Sequence, residues 1–288
     1  MMVAVLTDST ASIPANLIRG LGIEIVSYYI HRGSETLRDM VDVQPGEFAA
    51  WLKTASRLPT TANPSPGDYL VGLKNLTKRA GGMEIVALTM TSKGSGAYQS
   101  CLTAVNMLAE QMPKLRCEVV DTLQVGMSHG WAAVEAARLA AAGAKFDQVV
   151  QRAREVAQQG MMIQTADTLR YLYMGGRIGK AQHLVASALK IKPIISMQEG
   201  VIVALGTARG QLRAYRRIVD LIVRKVEAAG KRRIKAAFTH VAAPERVEQL
   251  RAMVAERVEC EEVLVSELSS ALAVHSGPGT VGVSFFPI

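Results

Sequence analysis

The chain has 288 residues, 49% of them hydrophobic and 20% charged, which is enough apolar mass for a substantial core and enough length for two domains. Its net charge of +8 admits nucleic acid, an anionic membrane surface or an acidic protein as partner and selects none of them. Three widely spaced cysteines, Cys101, Cys117 and Cys260, form no Cys-x-x-Cys pair; they argue against a disulfide framework or a cysteine zinc site and for reduced thiols in the cytoplasm.

In chain order, residues 3–7 form a short apolar run that ends at Asp8 without a preceding basic segment, so it is read as a strand and not as a secretory signal. A helix over 14–21, with Pro14 near its start, is followed by a strand over 23–30 and helices over 45–53 and 66–74. Strands at 85–88 and 117–120 then alternate with helices at 97–110 and 130–142. This alternation predicts a parallel sheet covered by helices, with ligands gathered beyond the carboxyl ends of its strands. Residues 146–159 predict another helix, and the pattern changes after it. A strand at 161–165 and a helix at 168–174 stop at Gly175-Gly176; the runs 193–197 and 201–205, separated by Gln198-Glu199-Gly200, form a hairpin. A long basic helix at 211–229, strands at 234–239, 263–266 and 281–286, and a helix at 244–257 complete a mixed or antiparallel sheet. The expected division is an N-terminal α/β domain, 1–160, and a C-terminal α/β domain, 161–288. The uncharged stretch 268–288 is broken by a Gly-Pro-Gly turn and is not read as a membrane span.

Three segments are candidates for chemistry. The turn between strand 85–88 and the next helix, Thr91-Ser92-Lys93-Gly94-Ser95-Gly96, combines backbone N–H groups at a helix start with hydroxyls and with glycines that admit close approach. It suits an anion, phosphate or carboxylate alike, and lacks the Gly and Lys spacing of a nucleoside triphosphate loop. Thr60-Thr61-Ala62-Asn63-Pro64-Ser65 is a second small polar turn, stiffened by two prolines, that fixes the Thr61 hydroxyl. His275 opens the glycine-rich turn before the last strand, where it can donate to an anion. No His shares metal-ligand spacing with carboxylates; Asp8 and Asp167 follow apolar runs and are read as caps in preference to metal ligands. A serine-dependent acyl hydrolase or transferase using Ser95 and His275 is the alternative, although Gly94-Ser95-Gly96 falls short of a nucleophile elbow. The basic residues crowded between Arg170 and Lys235 raise nucleic acid as a third reading, which sparse aromatics and the lack of a recognition motif rank last.

Taken together, these segments resemble the DegV family of bacterial fatty-acid-binding proteins. Asp8-Ser9-Thr10 with Ile13-Pro14 resembles the family's opening motif, Thr61-Ala62-Asn63-Pro64-Ser65 its Thr-Ser-Gln-Pro-Ser, and Ser92 to Ser100 its Ser-x-Leu-Ser-Gly-Thr-Tyr-Gln-Ser. Asp167 to Ile178, with Gly175-Gly176-Arg177-Ile178, and His275 to Gly279 match two further motifs in the family's order. The chain departs from the pattern at Ala62, Asn63, Gly94 and Ala97. The resemblance implies a two-domain α/β fold with the lipid site between a parallel-sheet domain and a mixed-sheet domain. It also implies a long-chain fatty acid as ligand, and a separate kinase subunit that supplies ATP and phosphorylates the acid. Carried over by motif, Thr61, Ser95 and the Gly96 N–H hold the carboxylate, with Ser92 and His275 in the same polar network. Arg177 and Arg209 face the partner, and the basic helix after Gln211 docks an acidic surface or passes near anionic lipid. No cofactor and no nucleic acid are expected.

Overall fold

The computed structural model describes residues 3–80, 83–185 and 191–288. The chain begins β1 (Ala4–Asp8), α1 (Ala15–Leu21), β2 (Glu24–Val26), β3 (Tyr29–Arg32), β4 (Glu35–Arg38), α2 (Pro45–Leu52), β5 (Thr60–Ala62) and α3 (Pro66–Ala80). It continues β6 (Glu84–Thr89), α4 (Ala97–Gln111), β7 (Arg116–Asp121), α5 (Met127–Ala141), α6 (Phe146–Gln159), β8 (Met161–Thr165) and α7 (Arg170–Met174). The remainder is β9 (Ile191–Gln198), β10 (Val201–Arg209), α8 (Gln211–Ala228), β11 (Arg233–His240), α9 (Pro244–Ala255), β12 (Glu259–Glu267), α10 (Ser270–Ser276) and β13 (Val281–Pro287).

Three sheets result. The first is parallel, in the order β2-β1-β6-β7. Its strands are apolar on both faces because helices cover both: Val5, Val86 and Leu88 pack with α5 and α6, while Leu6, Ile85 and Ala87 pack with α3 and α4. The second, β10-β9-β8-β13-β11-β12, is antiparallel except where β11 meets β12. One of its faces, with Ile163, Ile194, Phe238 and Val283, packs under α8 and α9. A small antiparallel sheet, β4-β3-β5, completes the set.

Helix α5 lies between the two large sheets, and twelve of its fifteen residues are buried. Its alanines let both sheets come close, and Gly130 is required there: a Cβ at this position would lie 2.5 Å from the Ala11 carbonyl oxygen. On the opposite flank Trp131 meets Phe286 edge-on at 5.8 Å, and its indole N–H donates to the Ser284 carbonyl at 3.1 Å. The Ala-rich α5 is thus the spacer between the halves. Every strand of the parallel sheet precedes Gly160 and every strand of the mixed sheet follows it. On that segregation we propose the division into 1–160 and 161–288, although α10 returns to pack against α2, β3 and β5.

The structure departs from the sequence reading in four places. The single strand expected over 23–30 is two strands in different sheets, because Tyr28 between them turns its backbone N–H to the Ser9 hydroxyl at 3.1 Å. Thr60–Ala62, read as a turn, forms a strand by pairing Thr61 with Ile30. β4 has a single apolar residue, Leu37, and is otherwise polar and exposed, so its sequence carries no strand alternation. His275 lies in the last turn of α10 and not in a loop; the turn begins only at Gly277, whose φ is 75°. That helix is started by Ser269, whose hydroxyl accepts from the Leu272 N–H.

Asp8, fully buried at the end of β1, accepts from the backbone N–H groups of Thr10 and Met90 at 3.0 Å each, and from the Thr10 hydroxyl. Removing this carboxylate leaves two buried N–H groups without an acceptor. Asp8→Ala should lower the free energy of unfolding in urea by about 2–4 kcal/mol, whereas an exposed acid such as Glu256→Ala should change it by less than about 0.5 kcal/mol.

Candidate functional site

The loops that leave β1, β6 and β7 meet at the carboxyl edge of the parallel sheet, as the topology requires. The β6–α4 loop is pinned from both sides: the Thr91 N–H donates to the Gln124 carbonyl (3.0 Å) and the Ser92 N–H to Asp121 (3.1 Å). Ser95 then accepts from the Ala97 N–H at 3.2 Å and pairs with the Tyr28 hydroxyl at 2.6 Å. Fifteen-residue α4 starts immediately after Gly96 and directs its positive end here. A Cβ on Gly96 would stand 3.1 Å from the Asn63 side-chain oxygen, so the second polar segment lies directly against this loop. Asn63 also donates to the Ser100 hydroxyl at 3.2 Å. Two residues before Asn63, in β5, the Thr61 hydroxyl bonds the His275 Nε2 at 2.8 Å, across 214 positions of sequence.

These groups border a cavity of about 430 Å³, within the usual range for a small-molecule site of about 300–1,000 Å³. Thr61, Ser95, Gly96, His275 and Arg177 all line it. Ser92 and Arg209 do not: the Ser92 backbone turns to Asp121, and Arg209 sits exposed at the end of β10. Apolar wall comes from Met90, Val125, Leu172, Leu268 and Leu272, and from Met162 and Met197 on the mixed sheet. The charged residues of the lining are Lys93 and Arg177; among the described residues no carboxylate faces the cavity. Such a wall favours an anion attached to an apolar body.

Burial sets the protonation states. Desolvation, followed by the nearby Arg177 charge, pushes the His275 imidazole down to about 4, so it is neutral at neutral pH. Burial, reinforced by the Asp8 charge, holds the Tyr28 phenol well above its ordinary value. Both therefore act as uncharged hydrogen-bonding groups. A Ser95–His275 catalytic pair is not formed, since Ser95 bonds Tyr28 and His275 bonds Thr61. The remaining His275 nitrogen, Nδ1, has no partner among the described residues, so no acid orients the ring. Asp8 serves as a backbone cap, and Asp167 pairs with Lys192 and Arg246. Among the described residues no group of three His, Cys, Asp or Glu could hold a metal ion, and no helix is long and apolar enough to cross a membrane.

Tyr28 lines the cavity and Gly175 packs against the His275 ring, and the sequence assigns neither a role there; Lys93 lies in the loop that the sequence already marks. Nothing in the local pattern marks Tyr28, since its role comes from a bond to a residue 67 positions away. In the sequence Gly175 is legible as a helix stop and as part of the Gly175-Gly176-Arg177-Ile178 motif. A Cβ there would fall 2.2 Å from the His275 Nδ1, and its carbonyl accepts from Arg177 at 2.7 Å. The glycine lets the imidazole and the Arg177 segment share one corner.

The profile of a family described as "Uncharacterised protein, DegV family" matches residues 2–287. A DegV domain-containing protein of Caldanaerobacter subterraneus subsp. tengcongensis is 30% identical over 283 residues, 98% of each chain. Another from Streptomyces coelicolor is 32% identical over 282 residues, 98% of this chain and 97% of its own. Among solved structures, a DegV family protein from Thermus thermophilus described for fatty acid binding superposes with a TM-score of 0.91 at 29% identity, over the full length of both chains. A stearic acid-binding protein from Eubacterium ventriosum shares the fold, with a TM-score of 0.88 at 21% identity over 99% of this chain and 98% of its own.

Two measurements check the geometry. The folded His275 titrates near 4 against an ordinary 6.5, so between those values the unfolded chain binds a proton that the folded chain refuses. Stability contributed by this group is complete above 6.5 and is lost as pH falls toward 4; His275→Gln should remove that part of the acid slope in denaturation curves. In Gly175→Ala, whose φ of −76° is unstrained, the methyl must displace the imidazole. The His275 ring resonances in NMR should shift while the fold's other resonances stay in place.

Proposed function

Because the chain belongs to the DegV family, we propose that it binds a long-chain fatty acid non-covalently and presents it to a separate kinase subunit, which phosphorylates the carboxylate to an acyl phosphate. The observation that carries this reading is the division of one cavity wall into a hydroxyl, amide and cationic part and an apolar part. The Thr61 and Ser95 hydroxyls and the N–H groups at the start of α4 would receive the carboxylate, with Arg177 and Lys93 offsetting its charge. Each buried methylene contributes about 0.8 kcal/mol, so the tail supplies most of the affinity and the polar groups supply orientation. The fatty acids named for the Thermus thermophilus and Eubacterium ventriosum proteins support the same ligand class. Arg177 is exposed beside the cavity, where a partner could reach the head group. Arg209, away from the cavity, would serve only in docking.

Denaturing extraction of the purified protein followed by mass spectrometry should release a near-stoichiometric fatty acid. Thr61→Val and Ser95→Ala should each weaken retention roughly ten- to a hundredfold, the worth of a hydrogen bond to a charged group. A protein that comes out empty and takes up no added fatty acid would overturn the reading and return attention to acyl-ester turnover. With a fatty acid kinase ATP-binding subunit added, Arg177→Ala and Arg209→Ala should slow acyl phosphate formation; unchanged rates would remove both residues from the docking surface.

A further inference from the structure

The cavity wall supplied by the six-stranded sheet is more polar than a hydrocarbon tail requires. Strand register sets Gln164 of β8 and Thr239 of β11 on either side of Gly282 in β13, and Ser284 follows two residues along β13 on the same face. A Cβ built on Gly282 would lie 2.6 Å from that of Gln164, so the glycine leaves the centre of this group without a side chain. Strands are spaced about 4.8 Å apart and diagonal cross-strand side chains about 7–8 Å, which keeps the three polar groups within one patch of about 10 Å. All three line the cavity, and all are buried, with exposures of 7% for Gln164, 3% for Thr239 and 1% for Ser284.

Two polar groups beside them are satisfied. The Ser196 hydroxyl donates to the Met162 carbonyl, and the Ser284 carbonyl accepts from Trp131. The Gln164 amide and the Thr239 and Ser284 hydroxyls, by contrast, make no hydrogen bond to another protein group among the described residues and turn to the cavity. A buried donor left unpaired costs more than a made bond gains, so a plain hydrocarbon laid against this patch is a poor match. An alcohol both donates and accepts, and so do an amide and a hydroxyl. Met162 and Met197 on the same face, unbranched and adaptable, can follow a substituted chain.

We propose that the preferred ligand is a fatty acid bearing a hydroxyl on its chain, received by Gln164, Thr239 and Ser284; this rests on the fatty-acid reading above. The test is competition between stearate and a positional series of monohydroxystearates for the full-length protein after delipidation. At least one hydroxylated isomer should bind roughly three- to tenfold more tightly than stearate, the range expected of a net hydrogen bond. In Gln164→Leu, and separately in the near-isosteric Thr239→Val, that ratio should fall toward one as stearate gains and the hydroxylated acid loses. If stearate matches or exceeds every isomer, the hydroxyl site is wrong and fatty-acid binding stands. If neither kind of acid is retained, the fatty-acid reading fails and takes this inference with it.

Discussion

The polar half of the cavity hangs on one carboxylate. Asp8 holds the end of β1 to the start of the β6–α4 loop by accepting from the Thr10 and Met90 N–H groups, and it has no access to solvent in which to find other partners. From that point the connections run outward. Ser9, next along, fixes the Tyr28 backbone; the Tyr28 hydroxyl fixes Ser95; Ser95 caps the first N–H of α4. A site whose hydroxyls are aimed by such a chain of buried and half-buried bonds is preorganised, and little conformational entropy remains to be lost when a ligand arrives. The same burial makes each link intolerant of loss, because an orphaned buried donor is expensive.

What was legible in the sequence follows from which forces are local. The β6–α4 loop could be recognised from Thr91 to Gly96 because a strand, a run of small residues and a helix leave a signature within fifteen residues. The mixed character of the second sheet is legible in the hairpin around Glu199-Gly200, and the family motifs group Thr61, Ser95 and His275, which all line the one cavity. The rest depends on distant partners. Tyr28 is an unremarkable strand residue until its hydroxyl meets Ser95, and Thr60–Ala62 is a strand only because β3 pairs with it. Helix α10 was hidden for a related reason: its seven residues are too short to show a period, and it is held by long-range bonds from its first residues to Ser12 and Asp39. Ser92 was drawn into the site by motif, but its N–H is used to fasten the loop to β7 and its place in the ligand shell is not part of the lining.

The two halves of the chain contribute unlike walls, and the difference has a physical origin. The parallel sheet is covered by helices on both faces, so it reaches the cavity only through loops at its carboxyl edge, where backbone N–H groups and small side chains are free. The mixed sheet packs α8 and α9 on one face and leaves part of the other facing the cavity, so it contributes side chains at every second position: Met162 and Gln164, Met197, Ser284. The polar side of the cavity is therefore built from loops, the start of α4 and the short strand β5, while the mixed sheet adds a strand face to its apolar side. The first can change residue by residue without moving the sheet, while the second is locked to strand register.

The electrostatics argue for carriage over turnover. A nucleophile needs a base within hydrogen-bond reach, yet Ser95 and His275, the two groups that would have to cooperate, are each committed to a different neighbour. His275 is held neutral by its burial and by Arg177, and among the described residues its second nitrogen has no hydrogen-bond partner. What the cavity does provide is cationic charge from exposed Arg177 and Lys93 against a neutral polar interior. A carboxylate in such a field is drawn to the side of the cavity that solvent reaches, while the apolar wall draws the chain inward. An acid bound in that orientation would keep its carboxylate toward solvent and its tail out of water, which is the arrangement the proposed carrier role requires.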